Sequence, residues 1–74
     1  DQAPYDLILI DPPFTEKLAH DVMVALSGST LYHPETRIFI ESGFKERIED
    51  HYGDLELIDR KEYGDKTLSI YRKK

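Results

Sequence analysis

The sequence predicts an α/β domain: a short parallel sheet that closes with an antiparallel hairpin. Three observations predict it. Leu7-Ile8-Leu9-Ile10 is apolar throughout and ends abruptly on Asp11-Pro12-Pro13, which suits a strand covered on both faces of a parallel sheet. A stripe of apolar residues at helical spacing follows, then a second apolar run ending on acid, Arg37-Ile38-Phe39-Ile40-Glu41. Strand, crossover helix and strand make the βαβ unit, whose strands run parallel. Finally, the last third of the chain alternates with a period of two on both sides of Gly64-Asp65, a two-residue hairpin signal.

Taken in order, 1–4 is a polar, proline-broken lead into a first strand over Tyr5 to Ile10. Pro12 and Pro13 end that strand, since neither offers an N–H to a ladder and each fixes φ. Thr15 is a plausible N-cap, with Glu16 in the first turn where the helix dipole favours negative charge. Leu18, Ala19, Val22, Ala25 and Leu26 then form one apolar stripe, predicting a helix over about 15–27 that ends at Gly28. After the second strand, Ser42 is expected to cap a short second helix with Phe44, Ile48 and Tyr52 on one side and Gly53 at its end. Leu55, Leu57, Asp59 and Lys61 are expected on one face of a polar edge strand, with Glu56, Ile58, Arg60 and Glu62 on the other. The last strand runs from about Lys66 to Tyr71, giving β-α-β-α-β-β.

At 74 residues the chain is at most one small domain with a marginal core. It has no cysteine, so neither a disulfide nor a thiolate metal site is available, and a reducing compartment fits. No apolar run approaches the ~20 residues of a membrane span. The net charge of −5, taken alone, argues against a nucleic-acid module, since phosphate binding needs a basic face, and the electrostatic footprint for a large RNA is absent. The basic residues Lys61, Lys66, Arg72, Lys73 and Lys74 do cluster late, and a solvated tail and hairpin is the plainer account of them. His20, His33 and His51 lack the spacing of a metal site.

Asp11-Pro12-Pro13-Phe14 after a buried strand resembles the motif of S-adenosylmethionine-dependent methyltransferases that modify exocyclic base nitrogens. The wider stretch from Tyr5 to Phe14 is similar to the 16S ribosomal RNA guanine-N2 methyltransferases, as is Lys61-Glu62-Tyr63-Gly64-Asp65 before the last strand. The resemblance implies the second half of a Rossmann-like methyltransferase sheet, with the final strand antiparallel beside the second. On that reading, 1–74 is the C-terminal part of a single domain, and the chain starting at Asp1 is a processed, cut or separately expressed segment. The first half, with its glycine-rich cofactor turn, is absent, because Gly28, Gly43, Gly53 and Gly64 stand singly.

The same resemblance implies the roles of the site. Asp11 accepts one amine N–H and a carbonyl of the Pro12-Pro13 region the other, pyramidalising a nitrogen whose lone pair is otherwise delocalised into the ring. The developing positive charge then sits against a fixed carboxylate. Phe14 stacks on the target base, which is first extruded from its stack. Asp11 stands where donor and acceptor meet and so counts among the cofactor contacts. Glu41 ends the second strand on the same sheet edge and is a candidate substrate contact, although such an acid more often caps the following helix or is solvated. Tyr63 most simply packs on the sheet, with substrate contact as the lesser alternative.

The expected cofactor is S-adenosylmethionine. The expected partners are ribosomal RNA or a small-subunit assembly intermediate and the missing N-terminal half, in the cytoplasm and without a membrane. The bare apolar strand also predicts self-association of the isolated segment. Two alternatives share the residues: an adenine-N6 DNA methyltransferase with the same motif, and a non-catalytic half-domain in which Asp-Pro-Pro is only a strand-ending turn.

Overall fold

The computed structural model describes residues 6–11, 18–43 and 45–74. They form a mixed five-stranded sheet and one helix: β1 (Leu7–Ile10), α1 (Leu18–Ser27), β2 (Arg37–Gly43), β3 (His51–Tyr52), β4 (Leu55–Tyr63) and β5 (Lys66–Lys73). The strand order is β1-β2-β5-β4-β3. β1 runs parallel to β2, and all other pairs are antiparallel. The final strand therefore inserts antiparallel beside the second apolar strand, as expected.

The ladder sorts side chains onto two faces, because directly paired residues point the same way. Ile8 and Ile10 lie opposite Ile38 and Ile40, and Ile38 lies opposite Tyr71. This face carries the core, in which Ala19, Met23 and Leu26 of α1 pack with Ile38, Ile40, Tyr52, Leu55 and Tyr71. The stripe of α1 is turned slightly from the expected one: Met23 is fully buried and Ala25 is exposed. α1 ends before Gly28 as expected, but through i→i−3 bonds, from the Gly28 N–H to Ala25 O and the Ser29 N–H to Leu26 O. Thr15 and Glu16 lie outside the described residues.

The other face holds Leu7, Leu9, Phe39, Leu68 and Ile70, and no described element covers it. β1 was expected to be covered on both faces; instead Leu7 is 53% exposed and Leu9 72% exposed. The only helix among the described residues lies on the opposite side.

The expected second helix is replaced by a loop and a short strand. β2 runs on through Ser42, which is buried in the sheet, rather than handing it over as a cap. One turn does begin, since the Glu46 N–H reaches Gly43 O at 2.9 Å and the Glu46 carboxylate accepts the Gly43 N–H at 2.7 Å. It does not propagate. The Tyr52 phenol takes the Glu49 N–H at 2.8 Å and lies 2.8 Å from His20 Nδ1, while Tyr71 donates its hydroxyl proton to Glu49 O. Those bonds satisfy the loop backbone without a helix and draw Tyr52 into the core. Gly53 then sits in a two-residue hairpin loop between Tyr52 and Leu55, at φ 61°.

The Gly64-Asp65 hairpin forms as expected, with Tyr63 opposite Lys66 and Gly64 at φ 58°. A positive φ at the first loop residue alone is the pattern of a type II′ turn. The alternation expected along β4 does not hold throughout. A bulge between Leu57 and Asp59 places Leu57 opposite Tyr71 but Asp59 opposite Ile70. The extra residue reverses the faces beyond it, so Asp59, Lys61 and Tyr63 lie on the open side rather than with Leu55 and Leu57.

Candidate active site

β1 delivers Asp11 to the C-terminal rim of the parallel pair, the edge at which open α/β sheets receive ligands. Asp11 is exposed there. The start of β1 is fixed from the first residue of β2 and the loop before it: the Arg37 N–H bonds Asp6 O at 3.0 Å, and His33 Nε2 lies 2.9 Å from Asp6 Oδ1. With the strand anchored there and paired through Ile10–Ile40, the position of Asp11 follows from the ladder.

Asp11 and Glu41 line one open cleft of about 220 Å³, together with Leu9, Ile10, Phe39 and Leu68. Leu9 lies opposite Phe39, and Glu41 lies opposite Leu68. The cleft thus has an apolar floor from three adjacent strands and two carboxylates at its rim. An apolar floor suits the face of a flat ring, and the carboxylates accept N–H donors and attract positive charge. Glu41 does not cap a helix here, since it lies within β2. Leu9, Phe39 and Leu68 read in the sequence only as strand residues, although Phe39 shares the parity of Glu41 along β2. Pro12, Pro13 and Phe14 lie outside the described residues. Tyr63 does not pack into the sheet and is 57% exposed. Among the described residues no group of acids and histidines is arranged to hold a metal ion, and no helix is long and apolar enough to cross a membrane.

Comparison with known families matches residues 1–72 to the model described as conserved hypothetical protein 95. The chain belongs to the conserved hypothetical protein 95 family. Three solved structures share the fold of this member. A conserved hypothetical protein of Streptococcus pyogenes superposes with a TM-score of 0.81 at 20% identity, over 97% of this chain and 45% of its own length. The methylase candidate HI0767 of Haemophilus influenzae gives 0.80 at 22% identity, over 93% of this chain and 42% of its own. The methyltransferase candidate yhhF of Escherichia coli gives 0.78 at 21% identity, over 96% and 40%. This member of the family therefore spans less than half the length of each. Comparison with curated proteins returns no match.

Proposed function

We propose that this chain is the acceptor-side half of an S-adenosylmethionine-dependent methyltransferase acting on an exocyclic base amine, with guanine N2 of ribosomal RNA or of a small-subunit assembly intermediate as the substrate. The observation that carries the reading is the pairing of Asp11 with Glu41 at the mouth of one apolar-floored cleft. The fold it shares with the methylase and methyltransferase candidates supports the same class.

The residues present fit one end of the cofactor. Two carboxylates over apolar side chains suit a sulfonium methyl and an amine, whereas Gly53 and Gly64 are spent in hairpin turns and form no loop around a nucleoside. S-adenosylmethionine, when bound, supplies an electrophilic methyl group. The chain's own residues do the rest. The Asp11 carboxylate accepts an amine N–H, directs the nitrogen lone pair toward the methyl and offsets the charge that develops on nitrogen. Leu9, Phe39 and Leu68 exclude water beneath the base, and Glu41 holds a second edge of it. Pro12, Pro13 and Phe14 supply the second acceptor and the stacking ring that the motif implies.

On this reading the rest of the domain pairs with the free edge of β1 and leaves the rim at Asp11 and Glu41 open to substrate. Equilibrium binding of radiolabelled S-adenosylmethionine tests this division. The 74-residue chain alone is expected to bind weakly or not at all, and to bind once the first half is supplied. Tight binding by the chain alone contradicts it.

A further inference from the structure

The bulge in β4 has a consequence for the substrate. Lys61 lies opposite Leu68, and Leu68 lies opposite Glu41. One row across three strands therefore runs from an acid of the cleft, over its floor, to a lysine. The next row is Gly43, Lys66 and Tyr63. Gly43 presents no side chain there, and the Glu46 carboxylate lies over it, 3.3 Å from where a Cβ would stand. Tyr63 exposes more than half of its surface.

The hairpin holds acids as well, and Lys66 is itself engaged in an interaction. Asp59 lies 3.8 Å from Lys61, with both side chains about half exposed, a contact of the kind that a phosphate readily displaces. Glu62 pairs with Thr67 on the opposite face, and the Glu46 carboxylate is held by the Gly43 N–H. Asp65 sits in the turn.

The open face thus carries Asp11 just after β1 and Glu41 on β2, and on β4 and β5 it carries Lys61, Lys66 and an exposed phenol ring, with Asp59 beside Lys61. A nucleotide within an RNA strand has the matching polarity, with N–H donors on the base and anionic phosphate on the backbone. We propose that the β4–β5 hairpin is an RNA-docking ledge, in which Lys61 and Lys66 engage the phosphates flanking the target and Tyr63 stacks on a neighbouring base. These are positioning residues, and the inference rests on the base lying at Asp11 and Glu41. Two phosphate contacts also suit a chain whose overall charge is negative, since they supply local orientation rather than bulk affinity.

The test is an amide-shift titration of the ¹⁵N-labelled 74-residue chain with guanosine and, separately, with a guanine-centred RNA trinucleotide. The trinucleotide is expected to shift Lys61, Tyr63 and Lys66, to bind more tightly than guanosine, and to weaken with salt at a log–log slope of about −1.4, two contacts at about 0.7 each. The double variant Lys61→Gln, Lys66→Gln should lose the advantage and the slope, and Tyr63→Ala should lose part of the advantage but keep the slope. Guanosine shifts at Asp11 and Glu41 should survive in all variants. Equal affinity for the two ligands, a slope unchanged by the double variant, or no response on the hairpin overturns the ledge. A hairpin response without any response at Asp11 and Glu41 instead overturns the placement of the base, so the two failures are distinct.

Discussion

Leu9 of β1 stands directly opposite Phe39 of β2 on the sheet face that α1 leaves open, and nearly three quarters of Leu9 is exposed. A strand with an unpaired long edge and a bare apolar face is a template for another chain. Burying one leucine is worth about 1.5–3 kcal/mol, so covering Leu7 and Leu9 together is a substantial drive. On its own, the chain is expected to self-associate through β1. Sedimentation velocity should show mass rising with concentration, and the double variant Leu7→Lys, Leu9→Lys should suppress it. A monomer at every concentration contradicts the expectation.

The two hairpin glycines should not be equivalent. Gly53 and Gly64 have φ of 61° and 58°, and a non-glycine residue held there costs about 1 kcal/mol or more. A Cβ at Gly64 meets nothing within 4 Å, whereas one at Gly53 comes within 3.3 Å of Ser27 Cβ. Gly64→Ala is therefore predicted to cost about 1 kcal/mol and Gly53→Ala distinctly more, read from urea unfolding midpoints. Equal losses would show that the contact between the β3–β4 turn and the end of α1 is not tight.

Alkaline pH should unfold the protein through its tyrosines. Burial, followed by the bond to Asp54, pushes the Tyr32 phenol up to about 12. Burial is also the largest cause of the raised values of Tyr52 and Tyr71. The folded state keeps these protons where the unfolded chain, at its ordinary value near 10, has lost them. The stabilisation is complete below about pH 10 and falls as pH rises toward about 12. Urea midpoints should be flat on the alkaline side of neutrality and drop above pH 10, with a smaller drop in Tyr32→Phe. A midpoint that holds through that window contradicts the assignment.

Much of this architecture is legible in the sequence because local signals and tertiary packing agree. The runs at Leu7–Ile10 and Ile38–Ile40, the helical stripe and Gly64-Asp65 each name an element that forms. The failures have physical causes. Ile48 and Tyr52 are spaced for a helix, but the Glu49 backbone finds partners in the Tyr52 and Tyr71 hydroxyls, which lie far away in the chain or beyond a turn. Gly53-Asp54 carried the same dipeptide signal as Gly64-Asp65, and the helical spacing before it concealed the hairpin. The bulge after Leu57 has no glycine or proline to announce it, so the sequence placed Lys61 on the wrong face. Asp11 and Glu41 were legible as a pair because both end apolar runs of parallel strands. The floor between them was not, since it depends on which face lacks a helix.

The central proposal is that the Asp11 carboxylate accepts a hydrogen bond from the amine of the base to be methylated and offsets the charge that develops on its nitrogen. Its most direct test is single-turnover methyl transfer from radiolabelled S-adenosylmethionine to small-subunit ribosomal RNA by the completed domain, comparing Asp11 with Asp11→Ala at matched cofactor binding. A loss of about 10²–10³-fold in the chemical step, the scale seen when one preorganised electrostatic group is removed, is the predicted result. Methyl transfer that continues at nearly the original rate in Asp11→Ala contradicts it.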